Sequence, residues 1–108
     1  MELISFKDFE KLDLRIGRIK EVKDHPNADR LFILTIDVGG ALKQTVAALK
    51  EYYTKEDLEG KQIVIVNNLQ EAVVRGVKSE GMILASTGRK GCSIITTDRE
   101  IEEGSPVL

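Results

Sequence analysis

The chain predicts an all-β fold, a five-stranded Greek-key barrel with short helices and a C-terminal extension. Three observations carry this. Short β-forming runs recur between glycine- and asparagine-containing turns along the 108 residues. Helical signals are confined to brief capped segments. The order of elements is three strands, one short helix, then two strands.

Each element has its own warrant. Ser5 caps a short helix, with Asp8 three residues on and Phe6 and Phe9 on one face. Leu12, Leu14 and Ile16 alternate with Asp13 and Arg15, the period of a strand. Gly17 breaks that parity, since the next apolar residues are Ile19 and Val22. A glycine where alternation slips marks a bulge or sharp coil, and a small barrel needs one such strand to close. His25-Pro26-Asn27-Ala28-Asp29 is turn chemistry. Residues 30–38 form a second strand, ended by Gly39-Gly40, and residues 44–49 a third. Thr54 caps a short helix that Gly60 stops. Residues 62–66 and 82–87 supply the fourth and fifth strands. Residues 92–96 and 107–108 add short ones, with a tight turn at Gly88-Arg89-Lys90-Gly91. This order is that of the oligonucleotide-binding (OB) barrel. In residues 30–38 and 63–66, successive rather than alternate residues are apolar. Such strands need cover on both faces, from the N-terminal helix, the C-terminal extension or another subunit.

Composition narrows the function classes. A chain of this length is expected to form one domain, residues 1–108. Its apolar fraction of 42% is ordinary for a globular protein. Met1-Glu2-Leu3-Ile4 lacks the basic stretch and the length of a signal peptide or membrane span. The single Cys92 forms no internal disulfide, which fits a reducing, cytoplasmic setting. One Cys and one His close no zinc site, and no pattern calls for another cofactor. Nucleophile motifs and phosphate-cradling glycine loops are missing, so no catalytic residue is assigned.

Charge pulls against nucleic-acid binding. The net charge is −2 and the pI is near 5.5, whereas a nucleic-acid binder is usually basic on at least one face. The acids cluster, however, at residues 51–59 and 98–103. Bases concentrate at Arg15, Arg18, Lys20, Lys23, Arg30 and Lys43, and again at Arg75 and Lys78. The expectation is a bipolar surface with weak or moderate RNA affinity rather than tight binding.

The polar, glycine-punctuated stretch 67–82 lies between two β-runs, so a rigid sheet holds up a structured loop. Arg75 and Lys78 suit phosphates, Ser79 a phosphate or sugar hydroxyl, Asn67 or Asn68 a base edge, and Met82 a base or ribose face. A plain solvated connector is the alternative, with Met82 opening the fifth strand. Glu80 fits neither role beside a phosphate and is expected to anchor the loop by accepting backbone hydrogen bonds. Arg15 and Arg18 project from the first strand and could track a phosphodiester backbone. Pairing with Asp13 and Glu21 on a solvated face explains them nearly as well. In the turn, Asn27 and Arg30 are candidate RNA contacts. His25 is expected to be a turn residue. Aromatic residues are few, at 5%, which favours recognition of a folded RNA by shape and backbone over stacking on single strands.

Two blocks carry a family resemblance. Arg75-Gly76-Val77-Lys78-Ser79-Glu80-Gly81-Met82, after Asn68-Leu69, resembles the signature of the tRNA-binding domain at the C-terminus of methionyl-tRNA synthetases. Asp13-Leu14-Arg15-Ile16-Gly17-Arg18-Ile19 and His25-Pro26-Asn27-Ala28-Asp29-Arg30-Leu31 agree with it. The resemblance covers residues 6–108. It implies a free-standing form of that domain, similar to a synthetase beta subunit, that pairs into a homodimer and grips the outside corner of tRNA. The implied partners are tRNA and a methionyl-tRNA synthetase catalytic subunit, with no membrane. It favours RNA contacts at Arg15, Arg18, Asn27, Arg30, Asn68, Arg75, Lys78, Ser79 and Met82. One departure is Ala48, where the family usually has glycine. A related branch of the same fold consists of export chaperones that bind unfolded polypeptide, an alternative that the acidic pI suits.

Overall fold

The structure is a computed structural model that describes residues 1–108. Its core is an antiparallel sheet rolled into a nearly closed barrel. In chain order the elements are α1 (Phe6–Glu10), β1 (Leu14–Asp24), β2 (Phe32–Asp37), β3 (Leu42–Ala47), α2 (Lys55–Leu58) and β4 (Gln62–Val66). Three shorter pieces follow, β5 (Ala72–Val74), β6 (Val77–Ser79) and β7 (Met82–Ile83). A last hairpin consists of β8 (Ala85–Gly88) and β9 (Gly91–Ile94). The main sheet has the order β3-β2-β1-β4-β7.

β1 is the strand on which closure depends. Its first half pairs with β4, from Leu14 opposite Val66 to Arg18 opposite Gln62. Its second half pairs with β2, and the register shifts between Ile19 and Glu21. The change of partner occurs around Gly17. A Cβ there would stand 2.5 Å from Ile36 Cγ2, so the glycine lets two strands pass at close range. The register irregularity expected at Gly17 lies two residues further on, between Ile19 and Glu21, while Gly17 itself allows the close crossing.

The helices are set by local chemistry. Ser5 Oγ accepts from the Asp8 amide. Thr54 and Asp57 make a reciprocal capping box, and the Thr54 amide and hydroxyl hold the Asp57 carboxyl below its ordinary range. Leu58 is the one α2 residue buried in the core. There it joins Ile19, Leu34, Ile36, Ile63, Ile65 and their neighbours in a single cluster.

The expected cover on both strand faces is met unequally. In β2 burial alternates, with Phe32, Leu34 and Ile36 inside and Ile33 and Thr35 half-buried. In β4 all five residues are buried, and the chain's own tail helps to cover them. Gln62 Nε2 donates to the Ile101 carbonyl at 2.5 Å, and its Oε1 accepts from Ile101 N at 3.2 Å and Thr97 Oγ1 at 3.1 Å. The tail also runs beside β1. Ile16 N donates to Ser105 O, Gly104 N to Ile16 O, and Val107 N to Leu14 O. The strand expected at 107–108 is thus a single bridge, Arg15 to Pro106.

Two further expectations change. The fifth strand divides at Leu84, whose amide still bonds Val64 while its carbonyl accepts from Ile95. There the chain leaves β4 to pair with β9. The stretch 67–82 contains a hairpin of its own, β5–β6.

Candidate nucleic-acid interface

The β5–β6 hairpin turns through Arg75 and Gly76, at φ +53° and +88°. Val74 stands opposite Val77, so the loop has two residues. Positive φ at both central positions is the type I′ turn, whose twist suits a tight hairpin. Asparagine and glycine are its usual residues. Arginine in the left-handed region carries a strain of about 1 kcal/mol.

The hairpin is tied to β3. Gln44 Nε2 donates to Lys78 O at 2.8 Å and Glu80 N to Gln44 O at 2.7 Å. Gln44 N donates to Glu80 Oε1 at 3.2 Å, the anchoring expected of Glu80. Val46 N donates to Ser79 Oγ at 3.0 Å. Ser79 is accordingly buried, and its hydroxyl oxygen serves as a staple between loop and barrel.

The β1–β2 turn leans against the hairpin tip. Arg75 Nη2 donates to the Asn27 carbonyl and Asn27 Nδ2 to the Arg75 carbonyl, each at 3.4 Å. Two blocks far apart in sequence therefore form one surface. In OB barrels generally, the loops between strands 1 and 2 and strands 4 and 5 flank the ligand face. These two loops occupy those places.

Each candidate residue has a defined position. Arg75 is exposed and forms no ion pair. Lys78 is exposed and lies 3.4 Å from Glu71. Arg30 pairs with Glu51 at 2.7 Å, although its side chain is 80% exposed. Asn27 is exposed on the turn. Met82 is half-exposed and lines an apolar groove with Val46, Ala47, Leu49, Ile83 and Ala85.

The remaining candidates have intramolecular partners. Arg15 Nε donates to Asp13 Oδ1 at 2.5 Å and Nη1 to Gly104 O at 3.1 Å. Arg18 binds Glu100, Glu103 at 2.5 Å and the Gly60 carbonyl at 2.7 Å. Its side chain is only 22% exposed. The Glu100 and Glu103 carboxylates raise the pKa of the guanidinium, and Arg18 in turn holds the Glu103 carboxyl below its ordinary value of 4.5. Asn68 accepts from Asp13 N at 2.8 Å and donates to Lys11 O at 2.7 Å. Asn67 donates to Asp13 Oδ2 and, followed by Arg15, lowers the Asp13 carboxyl.

Arg89 and Lys90 were not singled out by the sequence. They sit at the tip of the β8–β9 hairpin, between paired Gly88 and Gly91, and no carboxylate pairs with either. Two adjacent cations in a glycine-bounded turn were the available signal.

With this geometry in hand, comparison with known proteins decides the family. A family model described as "Putative tRNA binding domain" matches residues 14–106. The chain belongs to that family. It is 47% identical to methionine–tRNA ligase from Pyrococcus horikoshii over 107 residues, 99% of this chain and 15% of the ligase. The Nanoarchaeum equitans ligase is also 47% identical, over 97% of this chain and 14% of the ligase. The chain thus spans about one-seventh of the length of these relatives. Among solved structures, a MetRS related protein from Pyrococcus horikoshii superposes with a TM-score of 0.92 at 28% identity, covering all of both chains. Chaperone CsaA from Bacillus anthracis superposes with 0.88 at 32% identity, over 99% of this chain and 100% of the other. These likenesses agree with the OB-like barrel and with the relation to the C-terminal domain of methionyl-tRNA synthetases.

Proposed function

We propose that this chain is a non-catalytic tRNA-binding module that grips folded tRNA by shape and backbone and assists methionyl-tRNA synthetase in the cytoplasm. The observation that carries the reading is the Asn27–Arg75 contact, which presents an unpaired guanidinium and Lys78 on one rigid surface. Arg75 and Lys78 meet phosphates there, Asn27 and Arg30 extend the contact, and Met82 packs on a ribose or base face. Ser79 ties the hairpin to the barrel beneath this surface, while Arg15, Arg18 and Asn68 are engaged on the flank by Asp13, the C-terminal tail, Gly60 and Lys11. Binding tRNA beside the enzyme raises its effective concentration.

The module acts as a homodimer in this proposal. Met1, Leu3, Ile4, Phe6, Leu12 and Leu108 are exposed apolar residues at the two ends of the chain. Such surface favours self-association. Sedimentation of a purely monomeric species at micromolar concentration would oppose it.

Anisotropy of labelled folded tRNA, with a DNA duplex as competitor at low and moderate salt, tests the main reading. The expected result is saturable binding that resists the duplex. Its log–log salt slope should be roughly 0.7 to 0.9 per neutralised phosphate. Salt-independent affinity would oppose a phosphate-based grip. A second reading, a polypeptide-binding module, rests on the Met82 groove and the likeness to chaperone CsaA. Suppression of aggregation of an unfolded protein, without tRNA binding, would favour it.

A further inference from the structure

The β1–β2 turn and the β5–β6 hairpin also meet through a buried side chain. His25 is 6% exposed and is the only histidine in the chain. Its Nδ1 accepts from the Asn27 amide at 2.9 Å. An amide N–H can only donate, so Nδ1 carries no hydrogen. The other ring nitrogen, Nε2, lies 2.9 Å from the Val74 carbonyl oxygen. A carbonyl can only accept, so Nε2 carries the proton. The two partners together select one neutral tautomer.

Both partners are strategic. Asn27 exchanges hydrogen bonds with Arg75. Val74 immediately precedes Arg75, whose backbone is held in the left-handed region. The ring therefore bridges the two segments directly beneath the contact that their exposed residues make.

We propose that His25 is a positioning residue for the RNA-contacting surface: its neutral tautomer sets Asn27 against Arg75, and charging the ring pulls them apart. The proposal rests on the tRNA-binding reading above. Its cause is a donor–donor conflict. An imidazolium carries hydrogen on both nitrogens. Nδ1–H would then confront Asn27 N–H, and one buried donor would lose its partner. The turn must shift, and Arg75 loses the two bonds that orient it.

Most charged residues on the two segments are already engaged in ion pairs. On the turn side are Asp24, Asp29 and Arg30, with Asp24 held by Lys50 and Lys55 and Arg30 by Glu51. On the hairpin are Glu71, Arg75 and Lys78, with Lys78 beside Glu71. None of the carboxylates forms an ion pair with the ring.

The sign of the pH response separates this role from a simpler one. A histidine that only adds positive charge to an RNA surface strengthens phosphate binding when it is protonated. A positioning His25 does the opposite.

The test uses the full chain and a labelled folded tRNA. Affinity is measured at neutral pH and at a series of lower pH values. The expected result is roughly a fivefold loss, the equivalent of one hydrogen bond. Unchanged or tighter binding on acidification overturns the proposal. His25→Asn keeps an acceptor near the Nδ1 position for Asn27, and His25→Gln keeps a donor that can reach Val74. Both should abolish the pH response, and each should bind less tightly than the parent at neutral pH. A retained response in either, with the barrel folded by circular dichroism, also overturns it. Amide NMR of the free protein gives a readout independent of RNA. Charging His25 should shift Asn27, Arg75 and Gly76 together. Silence at Arg75 and Gly76 rejects the coupling. If no tRNA binds at any pH, the functional reading fails, and the NMR result alone decides whether His25 couples the two segments.

Discussion

Arg18 and Arg75 are the same residue type with opposite fates. Arg18 lies on the flank where the C-terminal tail crosses β1. Glu100, Glu103 and the Gly60 carbonyl surround it. Arg75 stands at the tip of a two-residue turn with no acid beside it, and the surrounding backbone holds it out in a strained conformation. A guanidinium enclosed by carboxylates holds the fold together. One without a carboxylate partner is available to a phosphate. Net charge, which is slightly negative, does not separate the two, whereas local pairing does.

The largest expected effect breaks the front of this comparison. Arg75→Ala with Lys78→Ala should weaken tRNA binding about tenfold or more at moderate salt. The salt slope should fall by roughly 1.4 to 1.8, two phosphates' worth. Thermal stability should be nearly unchanged. Titration at several salt concentrations measures this, and an unaltered slope would place the phosphate contacts elsewhere.

Arg18→Met tests the back. It leaves Glu100 and Glu103 without their shared partner, so the melting temperature should drop by several degrees. Affinity for tRNA should stay within about twofold. A large loss of affinity with little loss of stability would move Arg18 to the binding side.

Stronger acid should weaken the ion pairs that hold the fold. Asp13 is lowered chiefly by Asn67 and then Arg15, Asp24 by Lys50 and Lys55, and Glu103 chiefly by Arg18. Folded-state values below the unfolded ones mean that the ionised form favours folding. That stability is complete above the ordinary values, 3.8 for Asp and 4.5 for Glu. It disappears as pH falls through the depressed folded values. Urea midpoints should be flat near neutrality for these groups and fall below about pH 4. Midpoints that rise on acidification would contradict the assignment.

The smallest effect is the sharpest discriminator. Arg75→Asn replaces a strained arginine by a residue that tolerates the left-handed region. Stability should rise by about 0.5 kcal/mol while tRNA affinity falls. Denaturant unfolding and anisotropy on one sample give both numbers. A stability loss would show that the arginine side chain, through its bond to Asn27, outweighs the backbone strain.

The legibility of the sequence followed the range of the interactions. The helix caps at Ser5 and Thr54 involve residues three apart and were readable from pattern alone. The close crossing at Gly17 was readable too, although the bulge itself falls between Ile19 and Glu21. Glu80 was placed correctly as an anchor. The β5–β6 hairpin was hidden, because Ala72, Val73 and Val74 are mostly exposed and Arg-Gly is not the usual pair for its turn. Arg15 and Arg18 left two readings open, since their tail partners lie more than eighty residues away. The bridge that His25 makes was not legible, as its partner Val74 is distant and nothing in a His-Pro pair announces it.

The tail running beside β1 also gives the molecule an internal clock. The Ile16 amide donates to Ser105 rather than to a neighbouring barrel strand. Its exchange with solvent deuterium must await either detachment of the tail or opening of the whole barrel. If Ile16 exchanges faster than the amides of β2, the difference measures the opening equilibrium of the tail alone. A single resonance would then report how often the molecule unfastens itself while its barrel stays closed.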